Sequence, residues 1–233
     1  MSFFHRAIRG DFSSRSEGPR LLDLSECLPG RSLPPPGSVT RDTRHLVTNH
    51  PLLPPYPDRM SAITFGMGCF WCSEGLFTRK KGVYVTAVGY AQGFTPNPTY
   101  EEVCSGKTNH VEVVRVVYDP SEIKFQELLK EFWEKHDPTS ANRQGNDIGT
   151  QYRSGIYFET EQQKELALES KLVFQSALQA KQHQGVITTE IESLKTFYFA
   201  EDYHQQFDEK PGSRQYCGLR QTGATLSAEF VRG

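Results

Sequence analysis

Ala62-Ile63-Thr64-Phe65-Gly66-Met67-Gly68-Cys69-Phe70-Trp71-Cys72 is the stretch on which the fold turns. Its first four residues are apolar or β-branched and read as a strand that ends at Gly66 and Gly68. A helix is expected from Phe70 to Lys80, closed by Gly82. Cys69 therefore stands where a strand hands over to a helix. The first turn of a helix has unpaired N–H groups and the positive end of the dipole. A thiolate placed there is stabilised, so the Cys69 pKa is expected to fall. The glycines let the backbone turn and leave the sulfur accessible. A free cysteine is more often buried packing than a working thiol. Two aromatic residues directly after a glycine-flanked thiol at a helix start favour the working thiol.

Working outward, Val83 to Tyr90 reads as a second strand, and Asn97-Pro98-Thr99 as a turn opening a short helix, Tyr100 to Cys104. Val111 to Tyr118 is apolar apart from Glu112 and Arg115, which suits a central strand. Phe125, Leu128, Leu129, Phe132 and Trp133 form one apolar stripe of an amphipathic helix. Ser154 to Phe158 is a further strand. Thr160 with Gln163 reads as a capping box for a long helix to about Gln182. Val186 to Ile191 and Thr196 to Phe199 read as the last strands, and Glu201 to Phe207 as a short helix. Strands interleaved with strong helices imply an α+β domain, one sheet with helices packed on it.

The flanks differ. Nine of the 14 prolines precede residue 60, so residues 1–58 read as an irregular, partly disordered arm. The alternative is an extended wrap over the domain, anchored by Leu21, Leu22 and Leu24. Residues 59–210 form the expected α+β unit, and residues 211–233 a flexible tail.

The chain has 233 residues, 26 Lys plus Arg against 28 Asp plus Glu, and a net charge of −2, which gives no reason to expect a nucleic-acid partner. No apolar run approaches the roughly 20 residues of a membrane span, and no secretory signal is visible. The five cysteines, Cys27, Cys69, Cys72, Cys104 and Cys217, are odd in number and unevenly spaced, which fits a reducing compartment better than a disulfide scaffold. The expected location is cytoplasmic. Arg6, Arg9, Arg15 and Arg20 leave a mitochondrial presequence as the alternative, against which Asp11 and Glu17 argue. Cys69 and Cys72 form a C-x-x-C pair able to make a disulfide. Zinc needs about four ligands, and a lone C-x-x-C with Cys104, His110 or Cys217 is a poor source of them. No metal is expected.

Gly68-Cys69-Phe70-Trp71 resembles the active-site signature of the methionine sulfoxide reductase A family. Ordered matches continue through Asn97-Pro98-Thr99-Tyr100-Glu101-Glu102-Val103-Cys104-Ser105-Gly106, His110-Val111-Glu112 and Phe132 to Pro138. They run on through Arg143 to Ser154, Ile187 to Glu190, Ala200 to Gln206 and Tyr216-Cys217-Gly218-Leu219, and so cover about residues 60–219. Ser25 to Arg31 resembles an N-terminal extension found in many members. The resemblance implies a ferredoxin-like fold and reduction of the S epimer of methionine sulfoxide, free or in proteins. It implies no cofactor, thioredoxin as external reductant, and action as a monomer.

By the same resemblance Cys69 is the nucleophile and Glu112 the acid that protonates the sulfoxide oxygen. An otherwise apolar strand would raise the Glu112 pKa and keep its proton for donation. Tyr100 and Tyr152 match the hydroxyls that hold the oxygen. Phe70 and Trp71 match the aromatic wall for the methyl group, and Asp147 matches a site carboxylate. Attack leaves a sulfenic acid on Cys69, and Cys217 is implied as the recycling thiol on the tail. This chain departs from many members in having Cys72 where they have Gly, which makes Cys72 a rival resolving thiol. It has no further cysteine after Cys217, and Ile148 where many have His. Cys27 and Cys104 read as structural or incidental. Two other readings remain open. One is a thioredoxin-like disulfide oxidoreductase using Cys69 and Cys72. The other is a binding domain whose cysteines are packing or zinc ligands.

Overall fold

The structure is a computed structural model in which residues 18–213 and 217–233 are described. The strands are β1 (Ser61–Met67), β2 (Val83–Ala91), β3 (Val111–Tyr118), β4 (Arg143–Gln144), β5 (Asp147–Ile148), β6 (Ser154–Phe158), β7 (Glu190–Ser193) and β8 (Phe197–Phe199). The helices are α1 (Phe70–Phe77), α2 (Tyr100–Cys104), α3 (Phe125–Lys135), α4 (Glu161–Ala180) and α5 (Ala228–Arg232). Six strands form one sheet in the order β7-β6-β1-β3-β2-β8, and β4 pairs with β5 separately. The pairs of this sheet are antiparallel except β6–β7. The result is a mixed α and β fold.

β3 is central, as its composition requires. Val114 faces Phe65 of β1 on one side and Val88 of β2 on the other. The larger core lies between the sheet and α3 and α4. Ile63, Phe65, Met67, Val114, Val116 and Ile156 meet Leu128, Leu129, Phe132, Trp133, Phe174 and Leu178 there. Each such side chain contributes about 1.5–3 kcal/mol through burial. Trp133 Nε1 donates to Ser170 Oγ at 2.8 Å and ties α3 to α4. A smaller cluster of Phe70, Val88, Tyr90, Val103 and Ala200 carries the site.

Several expected boundaries move. α1 ends at Phe77, not Lys80, and Lys80 N–H closes a turn on Phe77 O. Thr160 caps α4 through Gln163 N–H, but the Gln163 side chain accepts from Glu159 N–H and donates to Ala62 O, so the box is half formed. The strand expected at Val186 to Ile191 lies at Glu190–Ser193, because Thr188 N–H is bound to Pro138 O. The helix expected over 201–207 is two 3-10 turns, Asp202–His204 and Phe207–Glu209, parted by Gln206 at a left-handed φ of 44°.

The arm from residue 18 onward runs along the domain. Leu22 N–H donates to Asn109 Oδ1, Arg31 pairs with Glu102 at 2.6 Å, and Ser38 forms a bridge with Glu201. Leu21 and Leu24 are exposed and do not anchor it; these polar contacts and the fully buried Leu52 do. Expected disorder and the candidate targeting segment fall mainly on residues 1–17, outside the described residues. Part of the segment expected as a flexible tail, 211–233, lies against the domain. Ala224, Leu226 and Phe230 join the core, and Leu226 N–H donates to Glu134 Oε1 at 2.9 Å. Among the described residues no helix is long and apolar enough to cross a membrane.

Candidate active site

Cys69 caps α1 at the end of β1, and its side chain is 8% exposed. Gly68 has φ +92°, and a Cβ there would lie 2.6 Å from Gln144 Cβ, so only glycine fits this turn. Ser73 N–H and Oγ both donate to the Cys69 carbonyl. The next N–H of the helix start, that of Phe70, donates to Glu112 Oε2 at 3.1 Å. Glu112 lies opposite Tyr90 on β2 and is 1% exposed. Burial, reinforced by the Asp147 charge, pushes its pKa up to about 8, against the pull of the Phe70 N–H. Glu112 is therefore a carboxylic acid at neutral pH, as its strand composition implied. Its Oε1 is buried with no partner among the described residues, and so is Asp147 Oδ2.

An aromatic wall rises beside the turn. Phe70 packs 5.8 Å from Tyr90, 6.2 Å from Tyr100 and 6.1 Å from Trp71, ring centre to ring centre. Trp71 stacks on Phe207 at 4.4 Å. Burial holds the Tyr152 hydroxyl protonated, and the charges of Glu112, Cys104, Asp147 and Cys69 act in the same direction. Tyr152 thus shares one neighbourhood with Glu112 and Cys69. Burial and the Glu112 charge do the same for Tyr100. The fold brings Cys69, Phe70, Trp71, Tyr100, Glu112, Asp147 and Tyr152 to one place.

The thiols differ from expectation. The Cys69 pKa rises rather than falls, first through its hydrogen bond to Cys72, then through burial and the Glu112 charge. The Cys72 pKa falls to about 7, chiefly because Cys69 donates to it, with help from the Gly218 backbone and the Cys217 side chain. The lowering expected at Cys69 is found instead at Cys72, three residues on, and it comes from hydrogen bonds to that sulfur. Cys217 is exposed and its pKa is raised by burial of the sulfur and by the neighbouring Cys72. Cys72 therefore touches both other thiols. Cys104 is exposed beside Tyr100, and Cys27 is half-buried on the arm. Among the described residues no group of three or more His, Cys, Asp or Glu could hold a metal.

Four residues given no role in the sequence reading shape the site. Glu201 accepts from Tyr90 OH at 2.9 Å and from Tyr100 N–H at 3.0 Å. His204 Nδ1 accepts from Trp71 Nε1 at 3.0 Å, and burial pulls its pKa down to about 4, so the ring is neutral. Gln144 Oε1 accepts from Arg220 N–H at 3.1 Å and seats the tail beside Gly68. Glu74 is buried on α1 behind the cysteines. Ala200 to Gln206 and Arg143 to Ser154 stood in matched stretches. No periodicity or spacing marks which of their side chains turn inward.

A family model described as "Peptide methionine sulfoxide reductase" matches residues 61–230. The chain is 50% identical over 218 residues to a "Peptide methionine sulfoxide reductase MsrA" of Saccharophagus degradans, covering 94% of this chain and 99% of that one. It is 53% identical over 213 residues to one of Rhodospirillum centenum, covering 91% of this chain and 94% of that one. Among solved structures, methionine sulfoxide reductase A of Corynebacterium diphtheriae is similar with a TM-score of 0.73 and 39% identity, over 87% of this chain and 100% of that one. Mxr1 of Saccharomyces cerevisiae in its reduced form follows with a TM-score of 0.63 and 34% identity, over 71% of this chain and 94% of that one. The chain belongs to the peptide methionine sulfoxide reductase family and is an oxidoreductase acting on methionine sulfoxide.

Proposed function

We propose that Cys69 attacks the sulfur of the S epimer of methionine sulfoxide, free or in peptides, while Glu112 protonates the oxygen. The observation that carries this reading is the buried, partnerless Glu112 Oε1 beside the thiol turn. A proton held there up to about pH 8 has a sulfoxide oxygen as its natural acceptor. Tyr100 and Tyr152 donate to that oxygen as negative charge develops. Phe70 and Trp71 hold the methyl group, and Asp147 orients the polar side of the pocket. The Cys69 proton passes to Cys72 during attack. The oxygen leaves methionine as the hydroxyl of a Cys69 sulfenic acid.

Cys72 then condenses with that sulfenic acid, forming the Cys69–Cys72 disulfide and releasing water. The Cys217 thiolate attacks Cys72, frees Cys69 and leaves a Cys72–Cys217 disulfide. An external dithiol, thioredoxin, reduces it by exchange at exposed Cys217. The position of Cys72 between the other two sulfurs supports this order. Mass spectrometry of the enzyme after one turnover, with Cys217→Ser, is expected to show the Cys69–Cys72 disulfide. A sulfenic acid that persists in that variant overturns the order.

The test of the reading itself is single-turnover reduction of each epimer by wild type, Cys69→Ser and Glu112→Ala. Loss in both variants, with the S epimer alone reduced by wild type, is expected. Disulfide-reducing activity that survives Glu112→Ala would favour the C-x-x-C oxidoreductase instead. The inner strand order β6-β1-β3-β2, with α1 joining β1 to β2 and α3 before β6, supports a ferredoxin-like core within residues 59–210. We place the protein in the cytoplasm as a monomer; the odd number and uneven spacing of its five cysteines support a reducing compartment.

A further inference from the structure

Behind the cysteines, α1 turns a carboxylate into the protein. Glu74 is 1% exposed. Its Oε2 accepts from Gln206 N–H at 2.7 Å. Its Oε1 accepts from Gln206 Nε2 at 2.8 Å and from Thr86 Oγ1 at 2.9 Å. All three partners are donors, so the charged form satisfies them and a protonated form adds a donor where acceptors are needed. The chain of bonds continues to the arm. His45, fully buried, contacts Thr86 Oγ1 at 3.0 Å, and its Nδ1 accepts from Thr48 N–H, so its proton is on Nε2 and points at Thr86. Leu46 N–H of the arm donates to Gln206 Oε1.

Gln206 holds φ 44°, a left-handed conformation that a glutamine keeps only when its surroundings fix it. The next residue is Phe207, stacked on Trp71, and two residues earlier is His204, bonded to the Trp71 indole. One peptide bond therefore separates the Glu74 clamp from the ring that backs the pocket wall.

We propose that Glu74 is a positioning residue: through Gln206 it clamps segment 201–209 onto the active-site helix and so sets the Trp71 wall against which the substrate methyl group binds. The inference rests on the functional reading above for what the wall holds. Burial pushes the Glu74 pKa up to about 7, against the pull of its Gln206 and Thr86 bonds, so the clamp loosens as pH falls below neutrality. The charged and titratable groups that face it are few. His45 on the arm stays neutral, its pKa pulled down to about 4 by burial. Lys210 of the segment opposes the rise in Glu74, and Asp208 approaches α1 at Gly75. Cys72 lies two residues before Glu74 on the same helix, and Cys69 caps that helix five residues before it.

The experiment measures KM and kcat on a methionine-S-sulfoxide peptide from pH 6 to 8.5, with tryptophan emission, for wild type and Glu74→Gln. In Glu74→Gln at pH 8, KM rises about 5- to 20-fold while kcat stays within about threefold. In wild type, KM rises as pH falls through about 7, the emission of Trp71 shifts to longer wavelength over the same range, and both changes vanish in Glu74→Gln. Trp133, the other tryptophan, is fully buried and gives a constant background. A folded Glu74→Gln with wild-type KM, or one that keeps the pH-dependent shift, overturns the proposal. If Glu74→Gln does not fold, Gln206→Ala is read the same way, with the same expected rise in KM. The emission titration reads the clamp without substrate, so a wild type inactive on sulfoxides would indict the functional reading alone.

Discussion

On one side of the pocket, Glu112 and Cys69 sit on a central strand and at a helix cap, fixed by the sheet register and by glycines that no other residue can replace. On the other side, residues 201–209 have only two short 3-10 turns and are held by side chains that reach for backbone: Gln205 to Val88 and Ala200, Gln206 to Thr86, Glu201 to Tyr100. In the proposed function, chemistry falls on the regular side and fit on the irregular side. Damage to the first should abolish turnover, and damage to the second should alter recognition.

The largest expected effect is on the regular side. Cys69→Ser should reduce single-turnover rate by at least a thousand-fold, roughly the scale for a lost nucleophile. Glu112→Gln should cost on the order of 10²–10³-fold in kcat. The sign of its pH effect follows from a pKa of about 8: the donor proton is present below that value and lost above it, so wild-type activity falls above about pH 8. An alkaline limb of that kind persisting in Glu112→Gln would show that another group donates.

The same carboxyl affects stability with the opposite merit. Its folded pKa lies above the ordinary carboxylate value of 4.5, so its stabilising contribution is full below that value and is lost as pH rises through about 8. Glu112→Gln should therefore be more stable than wild type at pH 9, by on the order of 1–3 kcal/mol, with the gain shrinking by pH 5. Denaturant melts at the two pH values decide it. Gly68→Ala, forced to φ +92° against Gln144, should lose about 1–3 kcal/mol. The smallest effect belongs to the irregular side's surface. Arg79→Ala removes an ion pair to Glu209 whose Arg79 side chain is 69% exposed, and should change stability by less than about 1 kcal/mol.

What could be read in advance follows the same division. The β1–α1 turn, the buried strand Val111–Tyr118 and the α3 stripe declare themselves by apolar pattern and glycine placement, and Glu112 stands out as a charge in an apolar run. Glu74, Gln206 and Glu201 do not. Each is polar in a polar stretch and acquires meaning only when β2, α1 and the segment after β8 meet in space. The direction of the Cys69 pKa is only partly legible: Cys72 stands three residues away in the chain, but the direction of their hydrogen bond, the burial of the sulfur and the approach of Glu112 belong to the folded structure. The packing of the tail is not legible either, because its apolar residues, Ala224, Leu226 and Phe230, are too sparse to form a stripe.

His45 has one more consequence. It lies wholly inside the protein, yet it precedes the first residue matched by the family model by 16 positions. A shortened enzyme begun at residue 61 would keep every group that reacts, but would leave a hole beneath Thr86 into which water could enter. Such a trimmed version should bind its substrate poorly while still performing the redox step, and adding residues 40–50 back as part of the chain should restore the fit.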